Sequence, residues 1–336
     1  MTTNPKWAPT RRSLMTGAAA GAVLLATPFV ARAQAKTLRA AHIESTDSAT
    51  HKGYEDFAAR VAEATNGAVE VKVFPAGQLG NLRDLYEGIK LGSVDITSSG
   101  PDYTSNIAPI MVTAALYYSY RDQAHADALL EGAFSERLSE ALSKQAQMRI
   151  LAWGELGWRS VFNTVHPIES AADFDGLKLR VPEAKLHLLP MRALGAAPTP
   201  IPYSDVYTSM QTGVVDGAEG TPAAVTQQKF NEVSKFYSMT RHLYNPIHLV
   251  IGSRAFDGLD AAQQEAVQAA AVAAFRTQRA TARSDNAAAL KALEESGLAV
   301  NTLDTAPLRE IVRPTWDELT ADLGPEGAEL VKMLQS

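Results

Sequence analysis

Val69-Glu70-Val71-Lys72-Val73 alternates apolar and polar side chains without a break, as a strand with one buried face should. Residues 38–43 (LRAAHI) read as another short strand. Between the two, Asp47 to Thr65 places Tyr54, Phe57, Ala58, Val61 and Ala62 on one helical stripe. Asn66-Gly67 then fits a helix stop. The pattern predicts a second helix over 81–91, with Leu82, Leu85, Tyr86 and Ile89 inward, and a strand at Val94-Asp95-Ile96. Further strands are predicted at 147–153, 160–165 and 177–181, and helices near 184–194 and 204–211. Strands and helices alternating at this spacing predict an α/β fold with a sheet between helices. A long helical run from Ala261 to Ser296 stops at Gly297. At 1.5 Å per residue it would reach roughly 50 Å, more than one small domain buries. It therefore either lies across two lobes or breaks near Asp285.

An internal repeat bears on that choice. LYEGIKLGSVDI (85–96) can be laid on VYTSMQTGVVDG (206–217) at a constant offset of 121 residues. Tyr86 meets Tyr207, Gly92 meets Gly213, and Val94-Asp95 meets Val215-Asp216. Either both are generic helix–glycine–strand corners, or the chain holds two similar α/β lobes. Two lobes would leave a cleft between them, where small ligands commonly bind.

Charge and composition narrow the class. Lys6, Arg11 and Arg12 precede the apolar run 17–31 (GAAAGAVLLATPFVA), and small-x-small cleavage candidates follow at 31–35. This is the layout of a cleaved export signal spanning residues 1–35; Arg11-Arg12 gives it features of a twin-arginine signal. Its removal takes away Lys6, Arg11, Arg12 and Arg32 and no acid, which moves the net charge from −6 to −10. So acidic a chain is a poor nucleic-acid binder. The chain has no cysteine, which excludes disulfides, thiolate metal sites and cysteine nucleophiles. The mature protein is expected to be soluble outside the cytoplasmic membrane, in the periplasm.

No phosphate-cradling glycine motif and no GxSxG elbow occurs. The histidines, at 42, 51, 125, 166, 187, 242 and 248, include no pair at the i, i+4 spacing of a helical zinc site. No cofactor and no metal is expected, and nothing demands an enzyme. What remains is polar residues among aromatics. WGELGWR (153–159) carries Trp153, Glu155, Trp158 and Arg159, and DGLKLRVPEA (175–184) carries Arg180 and Glu183. In the latter, Leu177, Leu179 and Val181 alternate toward a core, so Arg180 would ordinarily face solvent. Two arginines on neighbouring strands could instead converge on one carboxylate, whose two oxygens match the guanidinium fork.

Several stretches together resemble the DctP-type solute-binding proteins of TRAP transporters, which are periplasmic receptors for organic acids. They are FPAGQLGNLRDLYEGIKLGSVDIT (74–97), GWRSVFNTVHPI (157–168), DFDGLKLRVPEA (173–184), LGAAPTPIPYSDVYTSMQTGVVDGAE (194–219) and QQKFNEVSKFYSMTRHLYNP (227–246). The resemblance implies a two-lobed periplasmic-binding-protein-like fold of type II, with a ligand cleft and a long C-terminal helix spanning the lobes. It implies that Arg180 forms the main salt bridge to a ligand carboxylate, that Arg159 assists, that Tyr203 packs on the ligand and that Glu219 lines the hinge side. From the first lobe it implies contributions around His42, Glu44, Ser98, Ser99 and Tyr103. Glu155, Trp153 and Glu183 complete the candidate set. One departure stands out: many members read DGQEN where this chain has Asp216-Gly217-Ala218-Glu219-Gly220, so an amide that often meets the ligand is replaced by Gly220.

The implied lobes are 36–156 with about 246–285, and 157–245 with about 286–336. The implied partners are a small organic acid and the TRAP membrane permease, with the protein itself a monomer. A periplasmic enzyme acting on a carboxylate and a ligand-presenting sensory protein are the competing classes. C4-dicarboxylates, aldonates or uronates, keto acids and aromatic acids all remain open as the ligand.

Overall fold

The computed structural model describes Met1, Thr2 and Ala35–Ser336; the body of the expected export signal, residues 3–34, lies outside the described residues. The chain opens with β1 (Lys36–Ala41), α1 (Ala49–Ala64), β2 (Val69–Phe74), α2 (Leu82–Leu91) and β3 (Ile96–Ser99). These are the elements that the hydrophobic pattern predicts, shifted by a few residues at most. Ser48 caps α1 by accepting from the His51 N–H, and Asn81 and Asp84 form a reciprocal capping box on α2. Next come α3 (Pro101–Thr104), α4 (Gln123–Leu130), α5 (Ala133–Ala146) and β4 (Met148–Asn163). A second alternating run follows: β5 (Lys178–Val181), α6 (Lys185–Ala193), β6 (Ala197–Pro200), α7 (Val206–Gln211), β7 (Gly217–Gly220) and α8 (Pro222–Gln227). The chain ends with β8 (Phe236–Gly252), α9 (Ser253–Asp257), α10 (Ala261–Glu295), β9 (Ala299–Asn301), α11 (Ala306–Val312), α12 (Thr315–Thr320) and α13 (Gly324–Gln335).

All nine strands share one sheet, in the order β2-β1-β3-β8-β4-β7-β5-β6 with β9 on β8. β1 pairs in parallel with β2 and β3, and β5 pairs in parallel with β6 and β7. The long antiparallel pair β4–β8 joins the two groups. The protein is thus two-lobed, with each lobe built on a parallel unit. β6 lies at the sheet edge, where Pro198 and Pro200 remove no needed ladder donor.

The internal repeat is structural. In the first lobe the N–H groups of Ser93 and Val94 donate to the Gly88 carbonyl at 2.8 and 3.2 Å. In the second, those of Val214 and Val215 donate to the Ser209 carbonyl at 2.9 and 3.3 Å. Asp95 then accepts from the Arg39 N–H of β1 at 2.7 Å, and Asp216 accepts from the Lys178 N–H of β5 at 2.9 Å. Each aspartate ties its corner to the parallel strand beside it, a constraint that a generic turn does not need.

The predicted strands 147–153 and 160–165 are one strand, β4. Its register against β8 slips between Ile150 and Ala152, Glu155 and Gly157, and Arg159 and Val161. These irregularities break the alternation that would have joined the two stretches in the sequence. Pro246 is tolerated inside β8 because it faces Glu155, at one of the slips.

α10 is continuous through Asp285 and lies across both lobes. Val267, Ala270, Ala271, Ala274 and Phe275 pack with Leu38, Ala40, Val69 and Ile96 of the first lobe. Leu293 packs with Phe162, Val206 and Met210 of the second. Between these contacts α10 holds the crossing strand. The Gln278 amide accepts from the Glu155 N–H at 2.9 Å and donates to the Glu155 carbonyl at 2.7 Å. Asn286 donates to the Leu156 carbonyl at 2.7 Å and accepts from the Ala223 N–H at 3.1 Å.

Gly157 sits at the middle slip with φ of 110°, and a Cβ there would lie 2.6 Å from the Asn286 amide nitrogen. Gly157→Ala is expected to lower stability by about 1–3 kcal/mol, read as a fall in the midpoint of chemical denaturation. An unchanged midpoint would mean that this crossing is not conformationally constrained.

Candidate functional site

β1, β3, β5 and β7 all point their carboxyl ends at one cavity of about 120 Å³. That is where open α/β sheets place ligands, because side chains and loops from several strand ends converge there. The first lobe lines it with His42 and Glu44 after β1, Thr50 in the first turn of α1, Ser98 and Ser99 of β3, and Asp102 of α3. The second lobe lines it with Arg159, Arg180, Tyr203, Glu219 and Phe230, and Glu155, Asn245, Gln278 and Asn286 line it at the crossing.

The two arginines, expected on adjacent strands, are separated by β7: it pairs with β4 on one side and β5 on the other. This corrects the picture of a free arginine pair. Glu219 on β7 grips Arg159 through both carboxylate oxygens, and Arg159 also donates to the Glu219 carbonyl at 3.0 Å. His242 approaches the same carboxylate at 3.3 Å, while its Nδ1 meets the Thr240 hydroxyl at 2.8 Å. That pairing puts the imidazole proton on Nε2. Burial alone would raise the Glu219 carboxyl, but the Arg159 charge and the bonds from His242 and Arg159 hold it well below the usual range.

Arg180 is different. It is 4% exposed, its Nε donates to the Ile201 carbonyl at 2.8 Å, and its guanidinium stands 5.9 Å from the Tyr203 ring centre. Among the described residues no carboxylate lies within pairing distance of it. Burial pulls its pKa down to about 10, with Glu219 opposing the fall and Arg159 adding to it. The predicted alternation of β5 holds for Leu179 and Val181, yet Arg180 is buried too, because the cavity wall covers the other face.

The remaining candidates divide. Glu155 lines the cavity but is held by the Tyr244 hydroxyl at 2.6 Å and Arg283 at 2.8 Å. Asp102, which sequence reasoning missed, meets His187 at 3.1 Å, and His187 in turn meets the Tyr117 hydroxyl at 2.9 Å. Tyr103 stacks on Tyr86 at 5.2 Å and, with Glu183, lines the outer mouth. There Glu183 meets Arg83 at 3.5 Å and its carbonyl accepts from Asn106 at 2.9 Å. Trp153, expected at the ligand, belongs to the core: it is 7% exposed, donates to the Ser135 hydroxyl at 2.6 Å and packs on His248. Thr50, Phe230 and Asn245 carried no signal beyond their types. Asn245 is of interest because its amide lines the cavity that Gly220 also borders.

The family model for bacterial extracellular solute-binding proteins, family 7 (DctP), matches residues 40–322. The chain belongs to this family. It is 31% identical to the 2,3-diketo-L-gulonate-binding periplasmic protein YiaO of Escherichia coli (strain K12) over 299 residues, 89% of this chain and 91% of the relative. A TRAP periplasmic solute-binding protein from Sulfitobacter sp. NAS-14.1, solved with bound β-D-galacturonate, superposes with a TM-score of 0.86 at 31% identity, covering 89% of this chain and 99% of the other. One from Roseobacter denitrificans OCh 114, solved with bound L-galactonate, gives a TM-score of 0.83 at 33% identity, covering 90% and 99%. The match covers both lobes and the crossing strands, so the repeated corner and the cavity lie inside the family fold.

Glu219→Gln removes the charge that balances Arg159 in a buried pair. It is expected to cost about 3–5 kcal/mol of stability at neutral pH. Because the folded carboxyl lies below its unfolded value, this contribution is present above the ordinary carboxylate range and is lost as pH falls through the folded value. Denaturation of the ligand-free protein at a series of pH values should therefore show the gap to wild type closing below about pH 4. A constant gap would contradict the pairing.

Proposed function

We propose that this chain is the extracytoplasmic receptor of a TRAP transporter, binding an organic acid between its lobes and delivering it to the membrane permease. The observation that carries this reading is Arg180, a buried guanidinium facing the cavity with no carboxylate at pairing distance among the described residues. A ligand carboxylate would supply the missing charge, taken by the two terminal nitrogens in a bidentate bond. Arg159, fixed by Glu219, would add a second positive edge, and Tyr203 and Phe230 would pack on the carbon skeleton. The uronate and aldonate carried by the two solved relatives support acid sugars as the ligand class. His42, Glu44, Ser98 and Ser99 are the proposed first-lobe contacts, and Glu183 and Tyr103 border the entrance.

In this reading the lobes are 36–156 with about 246–285 and 157–245 with about 286–336, hinged where β4 and β8 lose register. Closure of the lobes on the acid creates the form that docks on the permease. The protein works as a monomer, makes and breaks no covalent bond, and acts in the periplasm after removal of residues 1–35. No helix among the described residues is long and apolar enough to cross a membrane.

Titration calorimetry against aldonates, uronates, dicarboxylates and keto acids tests this. Arg180→Ala is expected to weaken the best acid by about 10²–10⁴-fold, since each charge-assisted bond is worth about 1.5–3 kcal/mol. Arg180→Lys should recover little, because an ammonium cannot form the planar fork. A folded Arg180→Ala protein that binds as wild type would remove the anchor from the reading.

A further inference from the structure

Five carboxylates line the cavity: Glu44, Asp102, Glu155, Glu219 and Asp285. Four of them have a partner. Glu219 holds Arg159, Glu155 holds Arg283, Asp102 meets His187, and Asp285 stands 3.5 Å from Lys52, an ionic contact in which its Oδ2 makes no hydrogen bond. Glu44 has no basic partner within pairing distance among the described residues. The cavity therefore contains one unpaired cation, Arg180, on the second-lobe wall and one unpaired carboxylate, Glu44, on the first-lobe wall.

Two further polar groups on the first-lobe wall lack a partner. The Thr50 hydroxyl and His42 Nδ1 make no hydrogen bond of good geometry among the described residues, though the Glu44 backbone lies close to His42, and both residues are 1% exposed. Buried polar atoms are nearly always satisfied, so orphans lining a cavity mark where a ligand's polar groups go. His42 Nε2 is engaged by His51 at 3.1 Å, and burial, with the His51 charge, lowers the His42 pKa to about 4. His42 is thus neutral and gives the site no positive charge to receive a second anion. Burial raises the half-buried Glu44 to about 7, with Arg159 opposing. Its carboxyl oxygens can accept from a hydroxyl when ionised and donate to one when protonated.

We propose that Glu44 is a specificity residue, which with Thr50 and His42 receives the hydroxyl end of a monocarboxylic acid and rejects dicarboxylates. The physical reason is a single balance of charge: the first carboxylate neutralises Arg180, while a second one on the same skeleton would meet Glu44 across a water-poor cavity, where like charges repel strongly. A hydroxyl in that place donates to Glu44 and satisfies Thr50 and His42 as well. The inference rests on the receptor reading above and names the ligand class for the same site.

Matched acids on one carbon skeleton test it: galactonate against galactarate, and threonate against tartrate, titrated into wild type and Glu44→Gln at pH 8. Wild type should prefer the monoacid of the bound pair by about 100-fold or more. Glu44→Gln, which keeps the shape and the hydrogen bonding and removes the charge, should narrow that preference at least about tenfold. Equal affinity of wild type for both acids of a pair overturns the inference and leaves the receptor reading standing, as does a preference that Glu44→Gln does not move. Failure of wild type to bind any acid of the wider panel overturns both. The wild-type comparison needs no variant, so it stands even if Glu44→Gln folds poorly.

Discussion

A buried guanidinium without a counter-charge is the constraint around which the second lobe is arranged. Leaving a charge unpaired in a low-dielectric site is unfavourable, and the depressed pKa of Arg180 expresses that. Three features make the position tenable. The Ile201 carbonyl takes the Nε proton, the Tyr203 ring offers a π face, and Glu219 lies near enough to oppose the fall in pKa without pairing. Glu219 is committed elsewhere, to Arg159 and His242, so it cannot swing across to neutralise Arg180. The bidentate Arg159–Glu219 bond thus does two things: it satisfies one arginine and keeps the other unsatisfied. β7 is the strand that enforces this, because it stands between the strands of the two arginines and carries the acid.

The same sheet supplies the mechanics. Each lobe is anchored by an aspartate that closes a helix–strand corner onto a parallel strand. Only β4, β8 and α10 pass through both lobes. Where β4 passes, its ladder is interrupted, and Gln278 and Asn286 of α10 take over hydrogen bonds that a strand neighbour would make. Side-chain amides tolerate small changes of angle better than a continuous ladder does. The crossing is therefore held by α10 where its own ladder slips register.

How much of this was legible in the sequence varies with how local the cause is. Elements whose periodicity is set by one buried face, such as β2 and α1, are read directly. The repeated corner was visible as a constant offset, because the same backbone bonds need glycine and aspartate at the same places. β4 was read as two strands, since one slip falls inside WGELGWR and the others at its two ends, where bulges cancel alternation. β8 was read only as a strand start between His242 and His248, because Asn245-Pro246 is a breaker by local rules that the facing slip accommodates. At the site, alternation put Arg180 in solvent, and only the convergence of two arginines and then the resemblance pointed the other way, because its burial depends on what lies across the cavity. Trp153 was misplaced for the opposite reason, since aromatic type says nothing about which side of a strand faces the cavity. The pairing that sets Glu44 and Arg180 apart depends on contacts between residues far apart in the chain, which no local pattern encodes.

In the proposed receptor, that distribution of charge would also tie ligand capture to lobe closure. Arg180 lies on the second-lobe wall, and the first lobe covers it with Glu44, Asp102 and neutral polar groups rather than with a free acid at pairing distance. Closing the lobes without an anion would strip water from a lone cation, and nothing in the first lobe repays that loss of hydration. Closing them on a carboxylate strips water from a neutral pair instead, and strengthens the pair as the dielectric falls. In the proposed receptor the anion would therefore bind the closed form better than the open one, which is the only way a ligand can shift such an equilibrium. With the proposed signal removed, a net charge of −10 would repel anions at long range, so capture in this reading depends on the local focus and not on steering. The size of the closure response should then follow the quality of the carboxylate–Arg180 contact more than the area of ligand buried.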